Sequence, residues 1–224
     1  MNTQIPNPKS PSPKLITFEG GEGAGKSTQV RLLSEALNNA GIKTVTTREP
    51  GGTEGAEAIR NLLVNGDISK WDAPTELLLH LAARRDHINK FIKPSLDNGE
   101  CVISDRFTDS TIAYQAYGHG LGTEFVQQMC NLVIGNFYPD LTIILDMPIE
   151  LGIKRANKRG GAENRYEKMG SGFHARVNEG FLKIARTNPQ RCVVINADSD
   201  IESVHSNIID EVERRLGIKL GIRQ

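Results

Sequence analysis

Eight residues, Gly20-Gly21-Glu22-Gly23-Ala24-Gly25-Lys26-Ser27, constrain this chain more than any other stretch. They fit G-x-x-x-x-G-K-[ST], the pattern of a loop that wraps a polyphosphate. Its glycines let successive backbone N–H groups turn toward an anion with no Cβ in the way. Such a loop works between a buried strand and a helix N-terminus, whose partial positive charge adds to the attraction. Both flanks are present. Leu15-Ile16-Thr17-Phe18-Glu19 reads as a buried strand, and Thr28 to Ala40 reads as an amphipathic helix ended by Gly41. Lys26 is expected to reach the β/γ-phosphates, and the Ser27 hydroxyl to ligate Mg²⁺. The loop leaves open what receives the phosphate.

Short apolar runs alternate with helical patterns along the rest of the chain, which predicts βαβ units and a parallel sheet. The strand candidates are Leu15–Glu19, Lys43–Thr47, Cys101–Asp105, Leu141–Asp146 and Cys192–Asn196. Each is nearly continuous in apolar or β-branched residues, as strands covered on both faces should be. Helices are expected over Ala73–Ile92, ending before Pro94, and over Thr123–Gly135 with Phe125, Met129, Leu132 and Val133 inward. A helix after Pro148 turns basic at Lys154, Arg155, Lys158 and Arg159. Ser199 and Glu202 read as a capping box for a last helix packed through Ile201, Val204, Ile208, Val212 and Leu216.

The chain has 224 residues and no formal net charge. That length suits one domain, expected over 14–224 after a polar, proline-rich leader at 1–13 that does not read as a secretory signal. Zero net charge gives no bulk attraction to nucleic acid or anionic membrane, so any positive charge for phosphate must be local. No segment approaches 18 apolar residues, so no membrane span is expected. Cys101, Cys130 and Cys192 are scattered without metal-ligand spacing. They read as incidental thiols in a reducing, cytoplasmic setting.

Phosphoryl transfer needs positioning and charge neutralisation more than covalent chemistry. Cys101-Val102-Ile103-Ser104-Asp105 is an apolar strand ending in a carboxylate. Asp105 would face the crevice at the strand ends and hold Mg²⁺, with Arg106 beside it for an anion. Arg48, in Thr47-Arg48-Glu49-Pro50-Gly51-Gly52-Thr53, also follows a strand and could bind a second substrate's phosphate. His80 and Arg84 share a helix face at i, i+4, which suits a flat base, though solvated helix residues give the same spacing. Thr111, Tyr114 and Gln115 open a further helix with bonding and stacking groups. His87, His119, His174 and His205 form no ligand spacing and receive no role. The stretch from Arg159 to Gly172 is glycine-rich and charged, and it is the candidate lid at 159–172.

With these pieces in place, the chain resembles the thymidylate kinases, from Leu15 to the last helix. The motifs are Phe18-Glu19-Gly20 through Thr28, Arg48-Glu49-Pro50-Gly51-Gly52-Thr53, Ala82-Ala83-Arg84, Asp105-Arg106 and Ser110-Thr111-Ile112-Ala113-Tyr114-Gln115. The resemblance implies the reaction ATP + dTMP → ADP + dTDP with Mg²⁺. It also implies a P-loop NTPase fold with a five-stranded parallel sheet ringed by helices, and a homodimer. By motif position, residues Gly20 to Thr28 hold ATP, while Arg106 and Arg48 hold the dTMP phosphate. Arg84 bonds the thymine edge, and Thr111 and Gln115 lie by the base. Tyr114 sits by the sugar, Pro50 lines the space for the thymine methyl, and Glu19 and Glu22 lie near the acceptor sugar and phosphates.

Two details stand apart within that resemblance. The stretch Glu22-Gly23-Ala24 carries no cation, so Arg159 and Arg165 in the lid are expected to meet the charge of the transferred phosphoryl group, an effect of ~10³-fold or more. His80 stands where the family usually stacks phenylalanine on thymine. A titrating His80 would make the dTMP KM change between about pH 5 and 8. The alternatives are another nucleoside monophosphate or deoxynucleoside kinase, a P-loop GTPase, or an ATPase module that moves a partner. Asn157-Lys158-Arg159-Gly160 lacks the acid that a guanine-reading loop needs.

Overall fold

The computed structural model describes residues 12–159 and 165–221, with residue 159 described by its backbone alone. Most of the expected leader, up to position 11, therefore lies outside the described residues, as do positions 160–164 of the expected lid.

Five strands form one parallel sheet in the order β2-β3-β1-β4-β5. They are β1 (Leu15–Gly20), β2 (Thr44–Arg48), β3 (Cys101–Asp105), β4 (Leu141–Asp146) and β5 (Cys192–Asn196), each within one residue of its sequence expectation. Strands β1, β3 and β4 lie centrally and are buried almost throughout, which is why they read as unbroken apolar runs. On one face, α1 (Lys26–Asn39) and α9 (Ile201–Leu216) bury Leu33, Leu37, Ile208 and Val212 against Ile16, Phe18 and Ile143. On the other, α3 (Ala73–His87) and α8 (Ser171–Thr187) enclose Leu77, Leu81, Val177 and Phe181 with Ile144.

The chain leaves β1 through α1, crosses to the edge strand β2, returns to β3, and then passes over β1 to β4. The strand order thus reverses around β1, and a crevice opens at the carboxyl ends there. Register places both Phe18 and Arg48 opposite Asp105, which gathers the ends of β1, β2 and β3.

Three expectations about helices are corrected. The helix from Ala73 does not end before Pro94. It continues through a π-helical turn at Ile88–Ile92 into α4 (Lys93–Asp97), with the Lys93 N–H donating to the Ile88 carbonyl. The wider turn accommodates a proline that has no N–H of its own. Helix α6 (Thr123–Ile134) turns Val126, Cys130 and Ile134 inward and leaves Phe125 and Leu132 exposed. Its apolar residues cover more than one face, so periodicity did not identify the buried side. The cap of α9 is Asp200, whose carboxylate accepts from the Ser203 N–H at 2.7 Å, rather than Ser199 with Glu202. Ile201 is consequently exposed.

Candidate active site

The loop after β1 adopts the turn its glycines permit. Gly25 lies in the left-handed region at φ 88° and begins α1. Gly23 (φ 69°) packs on Gly152 of α7 (Ile149–Arg159), and a Cβ on Gly23 would stand 2.0 Å from the Gly152 carbonyl oxygen. That close approach brings the basic helix against the loop, and Arg155 lines the same cleft. Lys26 Nζ donates to the Gly21 and Gly20 carbonyls at 2.7 and 3.2 Å. Burial and the nearby Arg106 cation outweigh Glu22 and Asp105, and lower the Lys26 pKa to about 8. Ser27 Oγ donates to Asp105 Oδ2 at 2.6 Å, joining the loop to the end of β3. Two hard oxygens at the cleft suit Mg²⁺, which takes only one or two protein ligands when it rides on substrate phosphates.

Arg106 connects this half to the next. Its backbone is left-handed at φ 71°, and its guanidinium donates to the Gly20 carbonyl, Ser110 Oγ and Glu22 Oε1 at 3.0, 3.1 and 2.9 Å. Tyr114 Oη donates to the same Glu22 oxygen at 2.7 Å. Burial opposes ionisation of Glu22, but Arg106, Lys26 and Tyr114 outweigh it and bring its pKa to about 2. The Glu19 carboxyl lies below, fully buried, accepting from the Phe107 N–H and Ser110 Oγ. Burial and the Asp109 carboxylate raise its pKa to about 8. Glu19 thus lies beneath the cleft lining, next to Ser110 and Arg106. It fixes the Phe107–Ser110 turn that carries Arg106.

The acceptor side is built around Glu49. Arg84 Nε donates to Glu49 Oε2 at 2.7 Å, its Nη1 to Thr111 Oγ1 and its Nη2 to the Phe107 carbonyl. His87 Nδ1 lies 3.0 Å from Glu49 Oε1, and its Nε2 lies 2.7 Å from Thr47 Oγ1. Burial opposes the Glu49 charge, yet Arg84 and His87 hold its pKa below the usual carboxylate range. Arg48 is half exposed and bonds Glu57, which also accepts from the Gly52 N–H. Arg60, on α2 (Glu54–Val64), donates to the Pro50 carbonyl at 2.7 Å.

The far end holds His80 and Gln115. His80 Nε2 pairs with Tyr166 Oη at 2.8 Å, and the Tyr166 ring meets Tyr114 edge-on at 5.6 Å. Burial drops the His80 pKa to about 4, against the pull of Glu76. His80 is therefore neutral between pH 5 and 8, which corrects the expectation of a titrating base stack. Gln115 Nε2 donates to Glu76 Oε1 at 2.9 Å.

One cleft of about 600 Å³ collects Glu22, Gly23, Ala24, Gly25, Lys26, Ser27, Thr28, Arg48, Pro50, His80, Arg84, Asp105, Arg106, Thr111, Tyr114 and Gln115. Gly20 and Gly21 stand behind its wall and contribute carbonyls to Lys26. Arg165 is placed elsewhere than expected. Its side chain is wholly buried, bonded to Glu76 and to the Leu63, Asp67 and Ile68 carbonyls, so it does not face the phosphates. Arg159 ends α7, with its side chain outside the described residues. Sequence reasoning gave no site role to Glu49, Arg60, Phe107, Ser110, Arg155, Tyr166 or Glu167, which also line the cleft. Only Arg155 had a usable signal, as part of a basic helix next to the loop that lacks a cation.

A strand, a phosphate loop and a helix at the switch point of a parallel sheet, with one cleft that runs from the loop past Arg106 to Arg84 and Gln115, define a P-loop nucleotide-binding protein of the nucleoside monophosphate kinase type. Residues 18–208 match the family model described as thymidylate kinase. The chain is 52% identical to the thymidylate kinase of Caulobacter vibrioides over 91% of its own length and 98% of that protein. It is 44% identical to that of Afipia carboxidovorans over 94% and 93%. The crystal structure of thymidylate kinase from Ehrlichia chaffeensis superposes with a TM-score of 0.71 at 42% identity, covering 91% of this chain and 99% of that one. The chain belongs to the thymidylate kinase family.

Proposed function

We propose that the chain transfers the γ-phosphoryl group of ATP to dTMP, giving ADP and dTDP. One observation carries this reading. Lys26 of the phosphate loop, Arg106, Arg84 and Gln115 line a single cleft. The residues from Gly20 to Thr28 hold the ATP phosphates through backbone N–H groups and Lys26. Arg106 and Arg48 take the acceptor phosphate, exchanging their present bonds to Glu22 and Glu57 for it. Arg84 donates to the thymine edge, Thr111 and Gln115 border the base, and His80 packs on it as a neutral ring. Pro50 bounds the methyl group. Tyr114 borders the sugar, and Glu22 accepts from it.

Ser27 and Asp105 would hold Mg²⁺, which neutralises phosphate charge when bound. Among the described residues, no group of three or more His, Cys, Asp or Glu side chains is placed to hold a metal ion. Arg155 of α7, together with Arg159 at the end of the same helix, would supply the charge that Arg165 does not.

The enzyme works as a homodimer in the cytoplasm. Exposed Leu78 of α3 and Phe125 and Leu132 of α6 offer an apolar surface for a second copy. The three buried free thiols suit a reducing compartment. Among the described residues no helix is long and apolar enough to cross a membrane.

A coupled ADP-release assay with dTMP, dUMP, UMP, dCMP and GMP tests the reading. dTMP is expected to give the highest kcat/KM. Preference for another acceptor, or ATP hydrolysis that ignores the acceptor, would refute it.

A further inference from the structure

Gln115 Oε1 is buried and has no hydrogen-bond partner, although the Gln115 side chain lines the cleft. The other end of the same amide is committed, because Nε2 donates to Glu76 Oε1. Glu76 is on α3, with no exposed side-chain surface, and it also takes the Arg165 guanidinium and His119 Nε2. Burial opposes its charge, but His119, His80 and Arg165 prevail and bring its pKa to about 2. An ionised carboxylate only accepts hydrogen bonds. Gln115 must therefore give Glu76 its NH₂ and keep its buried, unpartnered oxygen for another donor.

That orientation has a consequence for base choice. An acceptor at Gln115 Oε1 beside the remaining N–H donors of Arg84 complements an edge with a ring N–H donor next to a carbonyl. Thymine and uracil present that edge at N3–H and O4. Cytosine presents an N3 acceptor and an amino donor, so both positions clash.

Resting on the dTMP reading of the cleft, we propose that Glu76 is a specificity-positioning residue: paired with Arg165, it locks the Gln115 amide so that the site accepts oxo-pyrimidines and rejects amino-pyrimidines. Glu76 touches no substrate and acts through Gln115. The methyl group is read elsewhere, so thymine and uracil are not separated by this device.

The test is Glu76→Gln, with Arg165 still held by the Leu63, Asp67 and Ile68 carbonyls. A glutamine at 76 can donate to Gln115 Oε1 and let the amide turn, while Arg84 still opposes cytosine. The ratio of kcat/KM for dTMP over dCMP should fall by about tenfold, the worth of one mispaired hydrogen bond. The ratio of dTMP over dUMP should stay unchanged, and Glu76→Asp, still only an acceptor, should keep both ratios. An unchanged dTMP/dCMP ratio, or an equal loss for all three acceptors, would overturn the proposal. Wild-type enzyme that fails to prefer dTMP would instead refute the reading beneath it. Should Glu76→Gln not fold, the side-chain amide protons of Gln115 in ¹⁵N-labelled wild-type enzyme decide the matter. Protection from solvent exchange supports the lock, and exchange at the rate of a free amide overturns it.

Discussion

Arg165 and Glu76 form an ion pair in which neither side chain is exposed to solvent. A cation expected to close over the phosphates instead ties the start of the segment after position 164 to α3. Removing one partner of a buried pair leaves an uncompensated charge, at a cost of about 3–5 kcal/mol. Arg165→Met is expected to lose that much stability in urea unfolding. The pH dependence has a defined sign. Glu76 has a folded pKa of about 2, below its ordinary 4.5, so its contribution is complete above about pH 5 and is lost as pH falls toward 2. Arg165→Met should flatten that acid limb only in part, because His119 and His80 lower the Glu76 pKa more than Arg165 does. An unaltered limb would show that the pair does not govern it.

Lys26 gives a second pH effect, on binding rather than folding. Its pKa of about 8 reflects burial and Arg106, and a bound polyphosphate would raise it. ATP affinity should therefore be greatest below pH 8 and weaken as pH rises above it, with up to one proton taken up on binding. Titration calorimetry in two buffers of different ionisation enthalpy measures the uptake. Lys26→Arg, whose guanidinium does not titrate in this range, should abolish the slope. A slope that survives the substitution belongs to another group.

His80 should leave the acceptor pH profile alone. With its pKa lowered to about 4 by burial, the ring stays neutral across the range in which a free imidazole titrates. His80→Phe is expected to move the dTMP KM by a constant factor between pH 5 and 8, with the same profile shape. A component near pH 6.5 that vanishes in the variant would contradict a neutral His80.

The sheet was legible because its central strands β1, β3 and β4 are buried on both faces and so read as continuous apolar runs, and because one glycine motif fixed the strand-loop-helix start. The cleft was legible where a residue follows a strand directly, as Asp105, Arg106 and Arg48 do. What escaped were relations that only packing sets. Glu49 reads as part of a turn until Arg84 and His87, 35 and 38 positions later, converge on it. Tyr166 reads as loop until it meets His80 across 86 positions. Arg165 escaped for the same reason: the composition of a glycine-rich charged stretch does not say which arginine folds inward.

Arg155 of α7 is a described cation at the cleft, while the loop segment Glu22-Gly23-Ala24 supplies none and Arg165 is anchored elsewhere. It projects from the helix that Gly23 and Gly152 bring against the phosphate loop, so its position depends on that close contact. An arginine meeting charge on a transferring phosphoryl group acts in the transition state more than in the ground state. Arg155→Ala is therefore expected to lower kcat by about 10³-fold with little change in the dTMP KM. Gly152→Ala should lower kcat in the same direction, because its Cβ would meet the Glu22 carbonyl at 2.5 Å and push the helix away. Steady-state kinetics with dTMP varied at saturating ATP separate the two parameters. A rise in KM at constant kcat for Arg155→Ala would assign this side chain to ground-state binding and return the catalytic charge to Arg159.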